Sequence, residues 1–103
     1  MNHCTNIQSG QIVVIDGNIN IKVEKWELKS GLIDITCSTA GYILIGEDNL
    51  TAVTVGSNFG FKNISTNEHV GIRVSAMTEE TLTLCFTTEE KSVKVLDLYD
   101  QAI

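Results

Sequence analysis

Apolar and polar residues alternate in short runs along most of the chain. Ile19, Ile21 and Val23 alternate with Asn20, Lys22 and Glu24, and in an extended backbone that period of two puts the apolar side chains on one face and the polar ones on the other. Ile33, Ile35 and Cys37 repeat the pattern against Asp34 and Thr36, and Val70, Ile72 and Val74 repeat it again. Leu82, Leu84 and Phe86 alternate with Thr81, Thr83, Cys85 and Thr87. No long window holds the apolar period of about 3.6 that an amphipathic helix needs.

The runs are broken by turn residues. Asp16-Gly17-Asn18 follows the apolar segment at 11–15 and predicts a hairpin, because Gly and Asn tolerate positive φ. Lys29-Ser30-Gly31 and Thr78-Glu79-Glu80 supply further turns. Shorter extended pieces are expected at 42–45, at 50–55 and at Phe59-Gly60-Phe61, with loops at 46–49 and 64–68. Val93 and Val95 form a last strand. The spacing of Leu96, Tyr99 and Ile103 then fits a short C-terminal helix, with strand continuation as the alternative. The expected fold is all-β, a compact small barrel or sandwich of about 8 to 10 short antiparallel strands in one domain.

Composition supports a self-sufficient core. Hydrophobic residues make up 43% of the 103 positions and charged residues 19%, which is ordinary globular usage, not that of a disordered chain. The formal charge is −6, with residues 1–51 holding six acids and three bases and residues 52–103 seven and four, so that each half carries −3. Nucleic acid and anionic membranes are therefore disfavoured as partners, because phosphate binding rests on Lys and Arg. A basic protein is the partner that the charge favours. The N-terminus lacks a signal-peptide pattern, and no apolar run nears the roughly 20 residues of a membrane span, so a cytoplasmic location is expected. Cys4, Cys37 and Cys85 form an odd, widely spaced set that predicts free thiols. Without export, the glycosylation triplets at Asn49 and Asn63 carry no information.

One pattern occurs twice at an offset of about 50 residues. Ile21-Lys22-Val23, a turn, Leu32-Ile33-Asp34-Ile35, a loop and Tyr42-Ile43-Leu44-Ile45 match Ile72-Arg73-Val74, a turn, Leu82-Thr83-Leu84-Cys85-Phe86, a loop and Val93-Lys94-Val95. This reads as two repeats, 10–50 and 52–103, or as the alternation that any β-meander shows.

Each copy resembles the carbon storage regulator family, RNA-binding translational regulators that fold as intertwined dimers with five strands and a short C-terminal helix per chain. The residues that carry the likeness are Gly10 and Gln11, the apolar run Ile12-Val13-Val14-Ile15, the turn Asp16-Gly17-Asn18 and the strand Ile19-Asn20-Ile21-Lys22-Val23. A second match runs from Val55-Gly56 through Phe59-Gly60-Phe61 to the run at 70–74, with extra residues at 64–68. The resemblance implies a covalent pseudo-dimer, monomeric, with the exchanged strands contained in one polypeptide. It does not carry RNA binding over. That family relies on basic residues in its first strand and on an arginine after its fifth, where this chain has Glu47 and, in the second copy, Asp97. The polar segment at 3–8 also replaces the family's apolar first strand, which puts that strand's pairing in doubt.

No catalytic or metal-binding motif is assembled, and neither an enzyme nor a cofactor is expected. Glu79-Glu80 and Glu89-Glu90 are separated by a strand of about eight residues, some 26 Å, and read as solvated turns. His3, Cys4 and His69 lack close ligand spacing. Cys37, on an apolar face, reads as a core residue. Trp26, on the polar side of its strand, is a candidate for exposure at an interface. Together with Glu47, Asp48 and Asp97 it forms the candidate partner-binding set. Tyr42, Phe59 and Phe61 are the other aromatics weighed for an interface, and the threonines at 81, 83 and 87 for edge pairing. The expected function is a non-catalytic binding or regulatory module acting on a protein. The alternatives are a small-molecule-binding β-barrel and a diverged RNA-binding regulator.

Overall fold

Most strands form where the alternation places them. The computed structural model describes residues 2–47, 49–87 and 93–97. Within them the chain runs through β1 (Asn2–Ile7), β2 (Gln11–Ile15), β3 (Ile19–Trp26), β4 (Ile33–Thr39), β5 (Tyr42–Ile45), β6 (Asn58–Asn63), β7 (His69–Met77), β8 (Leu82–Thr87) and β9 (Val93–Asp97). They build two antiparallel sheets, one of order β1-β8-β7-β6-β5 and the other β4-β3-β2-β9. The turn after β2 holds Asp16 and Gly17 at φ of 53° and 71°, and the Asn18 N–H donates to the Ile15 carbonyl. Positive φ at both central residues gives the twist that a tight hairpin requires.

Two hairpins share one register. Along β3 and β4, Ile21 faces Cys37 and Val23 faces Ile35; a bulge between Val23 and Lys25 then brings Trp26 opposite Ile33. Along β7 and β8, Ile72 faces Phe86 and Val74 faces Leu84; a bulge between Val74 and Ala76 then brings Met77 opposite Leu82. The bulges fall at equivalent places, 23 and 74 being 51 apart, as are 25 and 76. An extra residue in a strand reverses the inside-outside alternation beyond it. Trp26 therefore turns to the inner side and packs against the core, which corrects its expected place on the polar side.

The inner faces of the two sheets meet in one core. Val13, Ile15, Ile21, Val23 and Ile33 from the four-stranded sheet pack with Phe61, Val74, Leu82, Leu84 and Phe86 from the five-stranded sheet, all buried. Phe59 and Phe61 sit edge to face with centroids 6.1 Å apart, and Tyr42 is buried with them. The radius of gyration, 13.0 Å, is that of a single folded unit of about 100 residues.

Four further expectations are corrected or bounded. The polar segment at 3–8 does form a strand: β1 lies along β8, with Ile7 buried at its end. This register sets Cys4 opposite Cys85, and the two are joined in a disulfide with an S–S distance of 2.04 Å, so only Cys37 is a free thiol. Residues 50–55 do not extend as a strand. They bridge β4 through Val53 and Ile33, whose N–H and C=O groups exchange hydrogen bonds of 2.8 and 3.1 Å. Of the residues whose spacing allowed a C-terminal helix, Leu96 belongs to β9, as strand continuation would have it; Tyr99 and Ile103 lie outside the described residues. Among the described residues, no helix is long and apolar enough to cross a membrane.

Candidate functional site

The five-stranded sheet carries a hollow of about 550 Å³ on its outer face. Because Phe59, Phe61, Val70, Ile72, Leu84 and Phe86 point inward, the alternate positions of the same strands point outward. The registers arrange them in rows across the sheet. Cys4, Cys85, Arg73 and Asn58 form one row; Thr87, Gly71, Gly60 and Ile45 the next; His69 and Lys62, followed by Ile43, the third. The middle row has two glycines side by side, so bare backbone floors a trough between the outer rows.

Both glycines are required by close approach. A Cβ on Gly60 would stand 2.7 Å from the Val70 carbonyl oxygen and 3.3 Å from His69 Nε2. A Cβ on Gly71 would collide with the Thr87 hydroxyl, whose oxygen accepts a 3.0 Å hydrogen bond from the Gly71 N–H. The His69 ring thus leans over the glycine floor. The Cys4–Cys85 disulfide borders the trough beside Arg73 and ties β1 to the sheet.

Charge is segregated in space although it is even along the chain. The strands β1, β5, β6, β7 and β8 contain no Asp or Glu, while they carry Lys62, Arg73, His3 and His69. Among the described residues the acids lie in the turns and on the four-stranded sheet, where Glu24 pairs with Lys22 at 3.5 Å. The Arg73 guanidinium makes no hydrogen bond or ion pair among the described residues.

The set expected from sequence is not gathered at this site. Trp26 is half-buried and donates its indole N–H to the Thr78 carbonyl at 2.7 Å. It lines a separate hollow of about 440 Å³ with Lys25, Glu27, Ser30, Leu32, Asp34 and Thr51. Glu47 follows β5 and borders neither hollow. Asp97 closes β9 opposite Gln11, and Asp48 lies outside the described residues, as do Glu89 and Glu90. Glu79 and Glu80 are exposed in the turn between β7 and β8. Thr87 borders the trough and Thr83 donates to Asn6 Oδ1 at 2.6 Å; since β8 is flanked on both sides by β1 and β7, it offers no free edge.

Among the described residues no three His, Cys, Asp or Glu side chains come together as a metal site. Cys37 is partly buried, and that desolvation pushes its thiol pKa above the ordinary value. The trough residues Gly60, His69, Gly71, Arg73 and Thr87 were missing from the expected set. Their signal was a glycine at the centre of each of two alternating runs, a mark of close backbone approach. Comparison with protein-family models, with curated proteins and with solved structures finds no match to this chain.

Proposed function

We propose that the chain is a non-catalytic binding module whose ligand lies in the glycine-floored trough. The observation that carries this reading is the trough itself. Its volume of about 550 Å³ falls within the range of roughly 300 to 1,000 Å³ common to small-molecule sites, and Gly60 and Gly71 leave its floor without side chains of their own. The donors around it are held on strands, so the site is formed before a ligand arrives. Among the described residues no carboxylate lines it, which favours recognition over acid/base chemistry. A basic protein drawn to Trp26, Glu47, Asp48 and Asp97 has less support, because Trp26 lines a separate hollow and Glu47 lines neither.

The test is an amide-resolved NMR titration of the full chain with a fragment library. Saturable shifts centred on Gly60, Gly71 and Thr87 are expected. If every saturable ligand, including a lysine-rich protein, moved the turns around Glu47 and Glu79 and left the trough amides still, the reading would be abandoned.

We also propose that the chain is a fused pair of one folding unit, 10–50 and 52–103, kin to the carbon storage regulator family. The equal registers and bulges of the β3–β4 and β7–β8 hairpins support it. So does the exchange of strands: β5 pairs with β6, β9 with β2, and β1 with β8. Each half then lacks its sheet neighbours when alone. Residues 1–51 and 52–103, made separately, are expected to be unfolded and to fold on mixing; a half that folds by itself contradicts the proposal.

A further inference from the structure

We infer that the trough takes a small organic anion, a flat apolar body bearing one carboxylate or phosphate group, with Arg73 as the anion's partner. This rests on the trough being the binding site and adds the ligand's chemistry.

The first argument is electrostatic. In a chain of net charge −6, the strands of this one sheet hold no acid. Arg73 stands on one wall of the trough, and Lys62 extends the opposite wall beside His69. A cation flanked by its own carboxylates would be neutralised internally, whereas the Arg73 guanidinium has no partner among the described residues. It presents a planar fork of donors to an anion, and a charge-assisted pair of this kind is stronger than a neutral hydrogen bond.

The second argument is shape. Arg73 and His69 lie two residues either side of Gly71 on β7, so their backbones are about 13 Å apart at roughly 3.3 Å per residue. Between them Gly60 and Gly71 add no side chain of their own, and the Thr87 hydroxyl and the His69 ring edge the space above them. The apolar end is Ile45 and the polar end Thr87, with Asn58 beside Arg73. The volume of about 550 Å³ admits a single ring, set beside the His69 ring and the Thr87 hydroxyl that stand over the two glycines, with its anionic substituent on Arg73. A long polyanion such as RNA does not follow from this arrangement, because the trough is bounded along the strands by its own walls.

The test titrates the full chain with benzoate, phenyl phosphate and neutral benzamide, following the Gly60, Gly71 and Thr87 amides. Benzoate or phenyl phosphate is expected to bind at least tenfold more tightly than benzamide, and the stronger of the two identifies the group. Arg73→Gln is expected to erase that tenfold preference, and Arg73→Lys to keep part of it. If benzamide binds at the trough as well as the anions do, the site stands and its anion specificity falls. If neither anion shifts these amides, the inference also fails; whether the trough binds anything is then decided by the fragment library.

Discussion

The indole N–H of Trp26, at the end of β3, donates to the carbonyl of Thr78, just beyond β7, across 2.7 Å. The bond joins the ends of the two bulged hairpins, which are 52 residues apart in sequence. Trp26→Phe keeps most of the ring's packing and removes the donor. A loss of about 1 kcal/mol is expected, the usual net value of one hydrogen bond, read as a lower midpoint in urea unfolding. An unchanged midpoint would show that water replaces the bond without cost.

Gly71→Ala places a methyl group against the Thr87 hydroxyl. Overpacking of this kind costs about 1–3 kcal/mol. Because the clash is with one side chain, the double variant with Thr87→Ala is expected to be less destabilised than the sum of the two single changes. Additive losses in thermal unfolding would place the strain in the backbone instead.

The Cys4–Cys85 disulfide closes a sequence separation of 81 residues. A cross-link over so long a segment restricts the unfolded chain strongly, and stabilisation of about 2–4 kcal/mol is typical. Reduction, or Cys4→Ser with Cys85→Ser, is expected to lower the Tm and to raise amide exchange along β1 first, since β1 is an edge strand held to β8. Equal exchange along β1 in both forms would remove this role.

Leu84 is fully buried opposite Val74. Leu84→Ala is expected to cost about 2–5 kcal/mol from lost transfer energy and the cavity left behind. Thr83→Ala, one position along and facing outward, loses only its bond to Asn6, about 1 kcal/mol. Comparable losses at the two positions would contradict the assigned facing of β8.

The pKa of Cys37 is raised by burial above its ordinary value of 9.0. The folded chain therefore holds this proton more tightly than the unfolded chain does. The associated stability is present below the unfolded pKa and is lost as pH rises through the folded one. Stability in the Cys37→Ser variant is expected to fall less steeply above about pH 9 than in the parent, and iodoacetamide is expected to label Cys37 slowly at neutral pH. Rapid labelling of the folded chain would sink the second expectation.

Local chemistry alone determined most strands and turns. The alternation in Ile19, Ile21 and Val23 and in Leu82, Leu84 and Phe86 sorts side chains between water and core wherever they are placed, and Asp16-Gly17 supplies the positive φ values of a tight turn. Only the tertiary structure decided the facing of Trp26, because a bulge is a mismatch between two strands and has no trace in one strand's pattern. It alone decided that Cys4 meets Cys85, through the pairing of the first strand with the eighth. The trough has the same origin. Gly60 and Gly71 are single interruptions of two separate runs, and they become a floor beside Arg73 only when the register of β6 with β7 sets them side by side.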